Sequence, residues 1–364
     1  MSFKVTRRKF FKTATAATGA AALAAPALAQ GGTELKMLTC WPKNFPGLGT
    51  SAERFAKRVS DASEGKLRIK VYGAGEIVAP FEVLDAVASG AGDLTHDTPY
   101  YWFGKDPAFV YFAVVPFGLT ADEHFTWLKF GGGQELWDEL GAAHGVKPLA
   151  NLNTGAQMGG WFKNPIETAA DLQGLRVRYP GLGGQMLSRL GATPVNIPGG
   201  ELFTALQSGT IDGLEWIAPW NDLAFGFHRA AKHYYYPGFH EMGHTLSSHV
   251  NAEVWAGLSD TERAIMQDAA DAEYVTSLAE YNARNLDALN TLVNDHDVQL
   301  HEWPSDIVQE MQRIAPEVLA ESAAKSPMAT KVHESWIAFR ENQRQWGEIG
   351  DYANARLKQG REAQ

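Results

Sequence analysis

The sequence predicts an α/β protein built as two lobes, and three observations carry that prediction. Residues 35–71 read strand, helix, strand, which is a βαβ unit. Residues 82–93 (EVLDAVASGAGD) return without gaps as residues 201–212 (ELFTALQSGTID), with Glu, Ala, Ser, Gly and Asp identical. Finally, the 364-residue chain keeps about 335 residues once an N-terminal targeting segment is set aside, more than one core usually organises.

Taken in order, residues 35–41 form an apolar strand, and 42–47 (PKNFPG) a loop. Thr50 and Glu53 make a capping box ahead of a helix with Phe55, Ala56, Val59 and Ala62 on one face, stopped by Gly65. Leu67, Ile69 and Val71 alternate with Lys66, Arg68 and Lys70, the period-2 pattern of a half-buried strand. Each copy of the repeat is a helix stopped by Ser-Gly and followed by a short strand. Those strands run out at Thr98-Pro99-Tyr100-Tyr101 and at Ala218-Pro219-Trp220. Ligands of open α/β sheets sit outside the carboxyl ends of strands, so the two exits should face a common cleft.

Between the copies, Gly131-Gly132-Gly133 joins two helices. Residues 151–181 read strand, turn, a capped helical turn near Thr168, and a second strand over 175–179. Beyond the second copy, residues 234–238 (YYYPG) read as a loop and 245–251 as a strand. Ser259 and Glu262 cap a long helix reaching about Asn294, 298–303 is another strand, and Pro304-Ser305 opens a helical region broken at Ser326-Pro327.

The targeting segment is residues 1–29. A basic start with Thr6-Arg7-Arg8-Lys9-Phe10-Phe11-Lys12, an Ala-rich run and the small-x-small end Ala27-Leu28-Ala29 resemble a twin-arginine export signal. Its run is too short and too weakly apolar for a transmembrane anchor. It holds five basic and no acidic residues, so its removal takes the formal charge from −10 to −15. That balance argues against nucleic acid or an anionic membrane as partner. The single cysteine, Cys40, has no internal disulfide partner, as suits a chain large enough to hold together without one.

Three constellations carry chemistry. Arg176 and Arg178 share the strand over 175–179, beside Gly174, Pro180 and Gly181. A guanidinium there can meet a small carboxylate as a bidentate fork, or can lie on a solvated edge, and spacing does not choose between them. Gln157, Glu215 and Glu241 offer three oxygen donors from three segments, a set suited to sodium or calcium. His240-Glu241-Met242-Gly243-His244 matches the helical zinc-protease motif H-E-x-x-H. Yet it follows Tyr-Pro-Gly-Phe, contains Gly243, and runs into an extended segment with no third ligand. A metal-dependent periplasmic hydrolase using His240, Glu241 and His244 is the alternative reading of this chain. No P-loop, G-x-S-x-G or dinucleotide fingerprint is present.

Several segments together resemble the periplasmic solute-binding proteins of TRAP (tripartite ATP-independent periplasmic) transporters, nearest the subgroup binding α-keto acids such as pyruvate, or lactate. They are residues 100–107 (YYWFGKDP), 153–162 (NTGAQMGGWF), 172–178 (LQGLRVR), 213–216 (GLEW) and 234–238 (YYYPG). The resemblance spans nearly all of the chain after the export signal. It implies the two-lobed periplasmic binding protein fold, with a long connecting helix and a ligand buried in the cleft. It divides the chain into lobe I (30–153 and about 242–300), lobe II (154–241 and about 301–325) and a C-terminal helical extension (about 326–364). It implies that Arg178 pairs the ligand carboxylate, with Tyr100, Tyr101, Asn153, Gln157 and Trp216 around it. A bridging Na+ or Ca2+ is held by Gln157, Glu215, the Trp216 carbonyl and Glu241. It further implies a non-enzyme of the periplasm with TRAP membrane subunits as partners. The Ala-, Glu- and Gln-rich amphipathic C-terminal third reads as scaffold or subunit contact, with a homodimer through its helices as the expected assembly. The sequence departs from that pattern at Phe239-His240 and Tyr179-Pro180. Counting Glu215, Glu241, a monocarboxylate and Arg178, sodium leaves −1 and calcium 0, which mildly favours calcium in a dry site.

Overall fold

The computed structural model describes residues 32–360, so the expected export signal lies outside the described residues. In chain order the strands are β1 (Thr33–Thr39), β2 (Leu67–Tyr72), β3 (Leu94–His96), β4 (Val146–Asn153), β5 (Gly160–Phe162), β6 (Arg176–Arg178), β7 (Thr193–Val195), β8 (Gly213–Leu214), β9 (His233–Tyr236), β10 (Thr245–Asn251) and β11 (Gln299–Glu302). They form two sheets, ordered β2-β1-β3-β10-β4 and β11-β9-β5-β8-β6-β7. Helices cover both faces of the first sheet. Leu35, Met37, Phe55, Val59 and Met266 pack on one side, and a larger core runs through Phe109, Phe112, Trp127 and Trp137 on the other.

The chain passes directly between the sheets from β4 to β5 and back from β9 to β10, and a third time through helical segments from β10 to β11. The two direct crossings are zipped to each other by backbone bonds. Gln157 N–H donates to the Glu241 carbonyl at 3.1 Å, Gly238 N–H to Gln157 at 2.9 Å, and Thr154 N–H to His244 at 3.1 Å. Gly238 makes this approach possible, because a Cβ there would lie 2.5 Å from the Gln157 carbonyl oxygen.

The internal repeat is structural. Each copy is a 3-10 turn (Pro80–Glu82, Gly199–Glu201), a short α-helix (Val83–Ala88, Leu202–Ser208) and a strand, β3 or β8. Each closing aspartate brackets its neighbouring parallel strand. Asp93 accepts from Lys36 N–H at 2.6 Å and donates its own N–H to the Lys36 carbonyl at 2.9 Å. Asp212 does the same to Arg176, at 2.9 and 2.7 Å. The echo in sequence therefore marks one strand-pairing device used once in each sheet.

Four expectations need correction. Thr50 and Glu53 lie inside a helix that begins at Leu48, with Gly47 as its N-cap, because the turn at Pro46 starts the helix earlier than the capping pair suggests. Residues 234–236 are strand β9, not loop. Tyr234 and Tyr235 are buried in the second sheet, where alternation is lost because both faces are covered. A lobe boundary at residue 300 cuts β11, which pairs in full register with β9. The C-terminal helix Pro327–Ile349 is no free extension: Ala329, Val332 and Trp336 are buried in the main core.

The long helix Asp260–His296 fills the connecting role, packing on the first helix (Leu48–Ala62), on β4 and on the helix Pro219–Phe225 behind the second sheet. Buried Glu273 ties it down, accepting from Ser51 Oγ at 2.8 Å and from Arg54 at 2.6 Å. Its expected cap is present: Ser259 Oγ accepts from Glu262 N–H at 3.3 Å, and the Glu262 carboxylate accepts from Ser259 N–H at 2.8 Å. Replacing Ser259 by Ala should lower unfolding free energy by about 1 kcal/mol, read from the urea midpoint with an unchanged m-value.

Candidate functional site

The carboxyl ends of β3, β6 and β8 and the two crossings converge on one buried spot between the sheets. β6 delivers Arg178, which is 0% exposed, while Arg176 two residues earlier points outward to Asp212 at 3.3 Å with half its side chain in solvent. The two arginines stand on the same face of β6, so alternation does not separate them; Arg178 lies at the strand's carboxyl end against Glu215, and Arg176 at its start against Asp212. Arg178 Nη1 donates to the Glu215 carbonyl at 2.6 Å and to its Oε2 at 3.1 Å. Nη2 reaches Tyr101 OH at 3.4 Å, and the guanidinium lies over the Trp216 ring at 5.1 Å from its centroid. Glu215 follows β8 directly, its N–H bonded to the Arg178 carbonyl at 3.0 Å.

The crossings add Gln157 and Glu241, each buried. Gln157 Nε2 donates to Thr154 Oγ1 at 2.9 Å and to His244 Nδ1 at 3.0 Å, leaving its Oε1 buried without a partner. Glu215 Oε1 and Glu241 Oε2 are also buried and unpartnered. Glu241 Oε2 does lie 2.6 Å from His244 Nδ1, but outside hydrogen-bonding geometry. Burial, and then the charge of Glu241, push the Glu215 carboxyl above its ordinary pKa. Burial pushes Glu241 up as well, but His244, His240 and Arg178 outweigh it and hold that carboxyl below the usual value. Oxygens orphaned in a dry place cost several kcal/mol unless a proton or a cation serves them. Three of them, all from oxygen ligands, suit a hard cation.

Tyr100 closes one side, its ring tilted against His244 at 4.8 Å between centroids, and Tyr101 packs beside it. Among the expected site residues, Asn153 stands apart. It spends both amide donors on Thr245 Oγ1 and Tyr274 OH, and its carbonyl accepts from Gly155 N–H. It braces the start of the first crossing and turns no free donor toward the cleft.

The H-E-x-x-H segment is not helical: residues 237–244 are turns and coil between β9 and β10. The two histidines diverge, His240 toward Tyr179 OH and His244 toward Thr98 Oγ1 and Gln157. Sequence reasoning set both aside with the zinc-protease motif, yet both line the site. The motif held the right residue types; its reading assumed a helix that the crossing does not form.

The model of the family described as bacterial extracellular solute-binding protein, family 7 (DctP), matches residues 39–326. This chain belongs to the DctP family. It is a TRAP-type solute-binding protein and not an enzyme, which removes the hydrolase reading. The monocarboxylate 2-oxoacid-binding periplasmic protein of Nostoc sp. is 39% identical over 316 residues, covering 87% of this chain and 86% of that protein. A TRAP periplasmic solute-binding protein from Colwellia psychrerythraea, solved with bound calcium and pyruvate, is 35% identical at a TM-score of 0.85, covering 89% of this chain and 99% of that one. Another from Pseudoalteromonas atlantica, with bound sodium and pyruvate, is 35% identical at a TM-score of 0.86, covering 89% and 98%. DctP relatives thus share the two-lobed architecture, and these two hold a cation with their ligand.

Behind the site of this DctP protein, Asp222 gathers three donors: Tyr234 OH at 2.7 Å, Trp161 Nε1 at 2.9 Å and Ile217 N–H at 3.3 Å. Burial pushes its carboxyl up to about 7 despite those bonds, and the charge of Glu215 adds to the shift. A raised carboxyl pKa means that the folded state holds a proton the unfolded chain has released. Stability from this group is therefore full below about pH 4 and is lost as pH rises toward 7, by up to about 4 kcal/mol. Asp222→Asn should flatten that part of the melting-temperature profile between pH 4 and 8, at the cost of the Ile217 bond.

Proposed function

We propose that this protein captures a small 2-oxo or 2-hydroxy monocarboxylate (pyruvate-, 2-oxobutyrate- or lactate-like) together with Na+ or Ca2+ in the periplasm. It then delivers the acid to TRAP membrane subunits. The observation that carries this reading is the convergence of buried Arg178 with the unpartnered oxygens of Gln157, Glu215 and Glu241. Arg178 is the clamp for the ligand carboxylate, since its Nη2 side is engaged only by a long contact to Tyr101 OH. Gln157, Glu215, Glu241 and the Trp216 carbonyl hold the cation, which supplies positive charge to the ligand's carboxylate and its neighbouring 2-oxygen. Tyr100, Tyr101 and Trp216 wall the pocket. The names of the Nostoc, Colwellia and Pseudoalteromonas relatives support the same ligand class.

Arg178 and Glu215 are both 0% exposed, so a ligand enters only when the lobes part. Contacts to both lobes then favour the closed state, a population shift about the paired crossings. The twin-arginine pattern at Arg7-Arg8 supports export to the periplasm.

Calorimetry with pyruvate and with lactate, in calcium, in sodium and after chelation, tests the reading. Arg178→Ala should cost about 2–5 kcal/mol of binding, at least about 30-fold in Kd. Glu241→Gln should remove the cation dependence. Affinity unchanged by both variants would overturn the site. A homodimer through the C-terminal helices is supported by Trp346, Ile349 and Leu357, which are 60, 75 and 75% exposed. Light scattering should give twice the chain mass, falling to one on Ile349→Glu with Leu357→Glu; a monomer in both would rule the dimer out.

A further inference from the structure

His240 is 2% exposed, and its two ring nitrogens have different fates. Nδ1 lies 2.9 Å from Tyr179 OH, and Tyr179 OH donates to the Gly159 carbonyl at 3.1 Å. A phenol has one proton and a carbonyl can only accept, so the proton between His240 and Tyr179 comes from Nδ1. In the tautomer with its proton on Nδ1, the lone pair is at Nε2. That nitrogen has no hydrogen-bond partner and lies 3.7 Å from Glu215 Oε1 and 3.9 Å from Glu241 Oε1. These separations are too long for hydrogen bonds. They suit donors sharing one ion, since two ligands 2.0–2.6 Å from a metal stand about 3–4 Å apart. One donor atom from each of Glu215, His240 and Glu241 lies within 4.8 Å of the others.

The ring is also held in place. The helix Gly181–Arg189 approaches so closely that a Cβ at Gly183 would sit 2.8 Å from His240 Cβ, and Tyr179 packs on the imidazole at 4.5 Å between centroids. A histidine with one N–H bound to an oriented acceptor and its other nitrogen turned toward carboxylates is the arrangement of a metal ligand with its supporting partner.

We propose that His240 Nε2 is a nitrogen ligand to the cation held by Glu215 and Glu241. The centre is then a mixed nitrogen–oxygen site that binds first-row dications such as Mn2+, Co2+ and Zn2+ more tightly than Ca2+. The proposal rests on the cation reading above and extends it to a residue outside the oxygen donor set. Imidazole favours such metals, whereas carboxylate and amide oxygens alone favour Na+ or Ca2+. Availability decides which ion fills a site in the cell, so calcium or sodium occupancy and a higher intrinsic affinity for transition dications are compatible.

The test uses the full chain stripped with chelator and titrated with metal alone. Pulsed EPR of the Mn2+-loaded protein should show nitrogen coupling, and calorimetry should give Zn2+ a Kd at least about 10-fold below that of Ca2+. His240→Phe should abolish the coupling and cost Zn2+ affinity about 10- to 100-fold, with a much smaller effect on Ca2+. His244→Phe should leave the coupling in place, which assigns it to His240. Wild-type protein without nitrogen coupling, or Zn2+ affinity indifferent to His240→Phe, overturns the proposal; the wild-type spectrum decides alone if the variant does not fold. Calcium-dependent pyruvate binding that survives such a result leaves the monocarboxylate function standing. Loss of cation and carboxylate binding together would sink the functional reading itself.

Discussion

Two carboxylates buried side by side, with one guanidinium to answer them, set the terms for the rest of this structure. Glu215 and Glu241 are both nearly inaccessible, and Arg178 engages only Glu215 directly. Leaving like charges unpaired in a dry interior is costly, and removing Glu215 would leave the buried Arg178 without its carboxylate partner. The cluster therefore needs a positive guest. A protein that is unfavourable when empty and closed is biased toward opening, and one whose charge is completed by cation and ligand is biased toward closing.

The backbone makes that cluster possible by topology rather than by local motif. Four of its residues come from places where a strand ends or the chain is passing between sheets: Arg178 at the end of β6, Glu215 after β8, Gln157 and Glu241 on the crossings. Backbone bonds between the crossings set Gln157 beside Glu241, and the β6–β8 pairing sets Arg178 beside Glu215. Parting the lobes about this zipped pair can separate Tyr100 and Tyr101 from Arg178 while leaving those two pairings whole. That is the property a hinge beneath a ligand site requires. Asp222 supports the arrangement from behind by accepting from Trp161 and Tyr234, and Asn153 by donating to Tyr274 OH and Thr245 Oγ1.

Much of this was legible beforehand because it depends on short-range rules. The cap at Ser259, the strand at 245–251, the break at Ser326-Pro327 and the repeated Ser-Gly stop each follow from a few adjacent residues, and each is present. Readings failed where packing overrode local chemistry. Thr50 and Glu53 have capping residue types inside a helix already begun, and Tyr234-Tyr235 lack alternation because both faces of β9 are buried. The histidines of the H-E-x-x-H segment were dismissed for a correct reason, the absence of a helix, but their burial in the site depends on how β9 returns to β10.

The sequence by itself determined the α/β class, the twofold internal design, the family pattern and the residue types of the site, because hydrophobic period, turn chemistry and repeat are written along the chain. Only the tertiary structure decided which arginine turns inward, that Asn153 is a brace, and that His240 offers a free nitrogen between two carboxylates. Those facts are contacts between residues tens of positions apart, and a linear string carries no record of which side chain a sheet crossing will bring opposite another.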